Sequence, residues 1–107
     1  MIKGTRISKV SKKQSQRNRE IAESKKELIE QDCLCRICRD SDNVQLMHIL
    51  PKSLYPEYYT ERWNHTLGCQ RCHNKFDDDV NFRTKVDFLY DQVCAHDKRA
   101  ADKYFRR

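Results

Sequence analysis

Apolar residues change rhythm several times along this chain of 107 residues, and each change marks an element. Residues 1–19 hold Gly4, several Ser and Lys, and no apolar period, which predicts a flexible tail. Over 20–32, Ile21, Leu28 and Ile29 recur at helical spacing, and Glu20, Glu23, Glu27 and Glu30 alternate with Lys25 and Lys26. This is an amphipathic helix whose apolar stripe is narrow, so it leans on the rest of the chain. Past a turn at Asp40 to Asn43, Val44, Leu46 and His48 alternate with Gln45 and Met47, a strand that Pro51 stops. Residues 52–62 form a loop or short helix with Tyr55, Tyr58 and Tyr59 leading to Trp63. In a domain this poor in aliphatics those rings are read as core rather than as stacking platforms for bases. A second strand or loop over 64–69 precedes a short helix over 70–78. Phe82, Val86, Leu89 and Val93 then share one face of a helix starting near the cap candidate Asn81. Ala100, Ala101, Tyr104 and Phe105 give an apolar side to a last helix after Asp97.

Composition limits what these elements can build. With 36% of residues charged and 37% apolar, the chain supports one small domain without a large core, and a structural metal would compensate. Six cysteines supply the candidates. Cys35/Cys38 and Cys69/Cys72 share a two-residue gap that lets both thiolates of a pair reach one tetrahedral ion, and two such pairs complete a closed zinc site. Two disulfides, or four unrelated thiols, would leave the equal spacing unexplained. Knuckle, hairpin and ligand-bearing helix make a treble-clef finger in a small α+β fold. Cys33 and Cys94 are read as small buried side chains, and His65 and His96 as surface residues.

The net charge of +6 is unevenly spread. Residues 1–19 carry seven basic residues, among them Lys12, Lys13, Arg17 and Arg19, and no acid, while 98–107 carry five basic residues against one acid. Basic ends on an acidic middle suit contact with nucleic acid through the termini. There is no secretory apolar region and no run long enough to cross a bilayer, so a soluble intracellular protein with reduced cysteines is expected.

Four elements in one order then gain a meaning together. Cys35-x2-Cys38, Leu46-Met47-His48-Ile49-Leu50-Pro51-Lys52-Ser53, Trp63-Asn64 and Cys69-x2-Cys72-His73-Asn74-Lys75 resemble the HNH endonuclease family over about residues 33–80. The likeness is greatest to zinc-bound HNH proteins of phages and prophages, which implies the cytoplasm of a bacterial or phage-infected cell. It implies a ββα-metal nuclease: helix 20–32, HNH core 33–80 and C-terminal helices 81–107 as one domain over 20–107. By the same resemblance His48 is the general base, Asn64 braces its strand, and His73 binds a catalytic divalent cation (Mg²⁺, Mn²⁺, Ni²⁺ or Zn²⁺) beside the structural zinc. Met47 stands where the family usually has a second metal ligand, and a thioether is a poor partner for a hard ion. Asp77, one turn beyond His73, is the nearest substitute. Lys52, Arg71 and Lys75 flank this site and could meet phosphates.

The expected activity is hydrolysis of DNA phosphodiester bonds, with nucleic acid as partner and a homodimer left open. Met47 keeps two alternatives: an HNH scaffold that binds nucleic acid without cutting, and a phage factor that occupies a host protein.

Overall fold

The chain is described as a computed structural model, with backbone from residue 2 to residue 107 and side chains from residue 13. Helix α1 spans Ile2–Gln31, and strand β1 spans Val44–His48. Strand β2 is His65–Cys69, followed at once by helix α2, Gln70–Asp78. Helices α3 (Val80–Arg83), α4 (Asp87–Cys94) and α5 (Lys98–Phe105) complete the order, with 3-10 turns at Pro56–Tyr58 and Arg62–Asn64.

The strands pair antiparallel, with Val44 opposite Cys69 and His48 opposite His65. The hairpin therefore joins the cysteine end of the molecule to its histidine end. Pairing continues past the strand, where Ile49 N–H donates to Asn64 C=O at 2.9 Å. Alternation along β1 puts Met47 wholly inside, whereas Val44, Leu46 and His48 are half-buried. The strand has the expected limits, but its deepest side chain is on the face expected to be the more polar.

Met47 belongs to a core with Ile49, Leu50, Phe76, Val86, Leu89, Val93 and Phe105. Tyr55, Tyr58 and Trp63 pack against it, as expected of rings in an aliphatic-poor domain. Phe76 meets Phe105 edge-on at 5.5 Å. Each fully buried large side chain contributes about 1.5–3 kcal/mol, so this cluster outweighs any surface ion pair.

Three expectations change. The stretch expected as a tail is the first part of α1, which reaches back to Ile2; Met1 lies outside the described residues. Ser24 and Leu28 bury the face of α1 toward β2, while Ile29 is 44% exposed and residues 13–20 are all exposed. The single helix expected from Asn81 is two, because Asp79 rather than Asn81 caps α3, accepting N–H groups from Asn81 and Phe82, and the backbone leaves helical geometry at Val86. Around that break Arg83 is buried and donates to the carbonyls of Tyr104, Phe76 and Asp77. Finally, Cys33 is exposed, because Cys35 alone of the two faces the sulfur cluster, and Cys94 is half-buried. α5 matches its expectation: Asp97 caps it, and Ala100, Ala101, Tyr104 and Phe105 are its buried side.

Candidate metal centre and histidine site

The first cysteine pair sits on a tight knuckle. Cys35 N–H donates to Asp40 C=O and Arg39 N–H to Cys35 C=O, both at 2.9 Å, and Arg39 takes a left-handed φ of 67° to close the turn. That geometry turns the N–H groups of Ile37 and Cys38 onto Cys35 Sγ at 3.4 Å each. The second pair uses a helix start instead: Cys69 is the N-cap of α2, and its Sγ accepts Cys72 N–H at 3.4 Å.

These two devices bring the four sulfurs within 4.8 Å of one another, with Cys38 Sγ and Cys69 Sγ 3.6 Å apart. Tetrahedral coordination at the usual Zn–S bond length spaces sulfurs by about 3.8 Å, so the set could close on a zinc ion with shifts of no more than about an ångström. Burial opposes charge on Cys35, yet the N–H groups of Cys38, Cys69 and Ile37 bring its thiol down to about 6. Burial and the neighbouring sulfurs push Cys72 far up instead. Four thiolates cannot share this space without a cation among them. Among the described residues this is the one group of three or more potential ligands.

The histidine end is built on a carbonyl. His48 Nε2 and His65 Nε2 lie 2.9 and 2.8 Å from Tyr59 C=O. A carbonyl only accepts, so both rings carry their proton on Nε2. His65 Nδ1 must then accept, and Ser24 O–H supplies the bond at 2.6 Å across from α1. Both nitrogens of His65 are occupied. His48 differs: its ring stacks on Tyr59 at 4.6 Å and meets His65 edge-on, but its Nδ1 makes no hydrogen bond among the described residues. Burial, with His65 adding to it, drops His48 to about 4, and burial also lowers His65. Both are neutral at pH 7.

Asn64 fixes the intervening loop. Its Oδ1 accepts Leu50 N–H at 2.8 Å, and its Nδ2 donates to the carbonyls of Leu50 and Tyr58 at 3.1 Å each. Both ends of the segment that presents His48 and Tyr59 are thus tied to one buried amide. His73, in the first turn of α2, places Nε2 3.1 Å from Asp77 Oδ2, and that carboxylate raises its pKa against the effect of burial. His73 Nδ1 is shielded from solvent with no partner.

The basic candidates separate. Lys52 Nζ lies over the Tyr59 ring at 4.6 Å, next to His48, whereas Lys75 Nζ sits 5.8 Å from the Phe82 ring. Arg71 turns to the metal end, 3.9 Å from Cys38 Sγ. Lys13, Arg17 and Arg19 are exposed on α1; the Lys12 side chain lies outside the described residues. His65, expected at the surface, is 1% exposed. Its role, with Ser24 and the Tyr59 carbonyl, was hidden until the register set it opposite His48.

Fold and site together define a small α+β protein with a two-stranded antiparallel sheet, five helices among the described residues, and a four-cysteine centre able to hold zinc. Comparison with protein-family models, curated proteins and solved structures finds no match. Among the described residues no helix is long and apolar enough to cross a membrane.

Proposed function

We propose that this chain is a metal-dependent HNH endonuclease that hydrolyses DNA phosphodiester bonds. The observation that carries the reading is the contrast within one histidine pair: His65 has both nitrogens bound, while His48 is held by Nε2–H with Nδ1 unbound. A neutral imidazole anchored on one nitrogen is fit to take a proton from water on the other. Tyr59 C=O and Asn64 orient the ring, and His48 Nδ1 accepts the proton. A bound phosphate would raise its low basicity toward neutrality.

The zinc expected on Cys35, Cys38, Cys69 and Cys72 is structural, because four thiolates leave no open position. A catalytic cation would be held between His73 Nε2 and the Asp77 carboxylate, in place of their 3.1 Å contact, with substrate oxygens and water completing its shell. When bound there it supplies charge neutralisation at the phosphate. The test is cleavage of supercoiled plasmid with Mg²⁺, Mn²⁺ or Ni²⁺: cation-dependent nicking lost in His48→Ala supports the reading, and nicking that survives His48→Ala overturns it.

A second reading is a nucleic-acid-binding scaffold that does not cut. Met47 favours it, being fully buried in the apolar core where the resembling family places a metal ligand. Salt-sensitive DNA binding with no product in any cation identifies that outcome.

A further inference from the structure

We propose that the cleft between Leu54–Tyr55 and α5 binds an unpaired nucleotide of DNA, so that the protein prefers tailed, branched or looped DNA over plain duplex. This deepens the nuclease reading and takes its DNA substrate from it. Two hollows of about 330 and 380 Å³ adjoin there, sharing Tyr55 and Lys103. A duplex is too wide to enter either, whereas a single nucleotide is of the right size.

The charges are sorted toward the cleft. On the rest of the α5 region Lys98 pairs with Asp102 and Arg107 with Asp87. Arg99, Lys103 and Arg106, which line the two hollows, are exposed and have no ion-pair partner among the described residues. Asp97 is the one acid on the wall, and it is already engaged: Oδ1 accepts Ala100 N–H and Oδ2 accepts Tyr58 O–H. The side chains that line the cleft therefore carry a net positive charge, with Glu57, Asp77 and Asp78 the acids beyond its wall.

Its floor and rim are suited to a base. Leu54, 63% exposed, and the part of Tyr55 that its packing against the core leaves open offer apolar and aromatic surface beside the cations. A π-surface flanked by unpaired positive charge is what holds single-stranded nucleic acid without reading its sequence. Arg83 lies over the Tyr104 ring at 4.0 Å and bonds Asp77 C=O, anchoring the cleft to the end of α2. Asp77 is the residue that meets His73. A strand held in the cleft is thus positioned from the helix that carries the proposed site.

Fluorescence anisotropy on the zinc-loaded full chain, with no second cation added, tests this with a labelled hairpin carrying a single-stranded tail and the same hairpin made blunt. The tailed hairpin is expected to bind about tenfold more tightly. Lys103→Gln and Arg106→Gln, both at exposed positions, and Tyr55→Ala should each erode that preference while leaving the blunt affinity in place. Equal affinity for the two hairpins, or variants that weaken both alike, overturns the cleft. The plasmid assay separates the two ideas: tail preference without cutting removes the nuclease and keeps the cleft, and cutting without tail preference removes the cleft alone.

Discussion

The two ends of the β1–β2 hairpin use similar residue types in opposite ways. At the Val44–Cys69 end four sulfurs converge from a knuckle and a helix cap, and a metal among them leaves no donor free. At the His48–His65 end two imidazoles share one carbonyl, and only the partner of Ser24 has both nitrogens bound. Closure of every valence makes an anchor, and one valence left open makes a candidate for chemistry. Variants at the two ends should therefore fail differently: at the cysteine end in folding, and at His48 in activity.

The largest effect is expected from the metal. Binding zinc in a site of this type is worth about 10–16 kcal/mol in small folded units, at or above the total stability of a domain, about 5–15 kcal/mol. A strong chelator, or Cys35→Ser, should collapse the fold over the knuckle and α2, read as loss of the cooperative melt and of one zinc per chain. A zinc-free chain with an unchanged melting curve would show the sulfur cluster to be dispensable.

Asn64→Ala comes next, because it strips three hydrogen bonds and strands the buried Leu50 amide groups. A loss of about 2–4 kcal/mol in denaturant unfolding is expected. His65→Ala should cost about 2–3 kcal/mol, since it opens a buried volume and releases Ser24 from β2. His48→Ala, at a half-buried position, should cost less stability than His65→Ala and, on the proposed nuclease reading, abolish cutting. The reverse ranking in stability would break the division between closed and open histidine.

Titration sharpens the same contrast. The folded value of His48 is about 4 against an ordinary 6.5, so as pH falls the unfolded chain takes up its proton first. The stabilising contribution is complete above about 6.5 and is lost as pH falls toward 4; His65 acts in the same direction. NMR of the imidazole resonances should show the His48 ring neutral at pH 6 and the His65 midpoint shifted below that of a free imidazole. A His48 midpoint near 6.5 would contradict the burial and the ring contact that lower it.

Much of the frame could be read in advance because it rests on local rules. Pro51 marked the end of β1 though the alternation misplaced its buried face, the second Cys pair marked the start of α2, and the period of Ala100, Ala101, Tyr104 and Phe105 marked the buried side of α5. The equal Cys spacing foretold the cluster for the same reason: two residues between ligands is a property of the chain, not of the fold. What escaped depends on distant partners. Nothing local to His65 announces that Ser24, 41 residues earlier, will meet it. Nor does anything local to Arg83 announce the three carbonyls from two other helices that surround it. The apolar face of Phe82 to Val93 was legible, but not the break within it, which follows from the Asp79 cap and the turn at Val86.

The smallest effect is expected at Cys33, and it tests where the closed end stops. Two residues before Cys35 in sequence, Cys33 is a sulfur that composition cannot tell from a ligand, yet it is exposed and stands apart from the four that converge. Its neighbour Asp32 turns instead to Arg39 at 2.7 Å and accepts Leu34 N–H at 3.3 Å, so the chain approaches the knuckle held by a carboxylate rather than by a fifth thiolate. Cys33→Ser should leave one zinc per chain and an unshifted melting curve, since a surface substitution away from any partner has little to disturb. Loss of zinc in that variant would place Cys33 in the metal shell and require the knuckle to rearrange. Retention of zinc, set beside its loss in Cys35→Ser, would locate the boundary of the anchor between two cysteines separated by one residue.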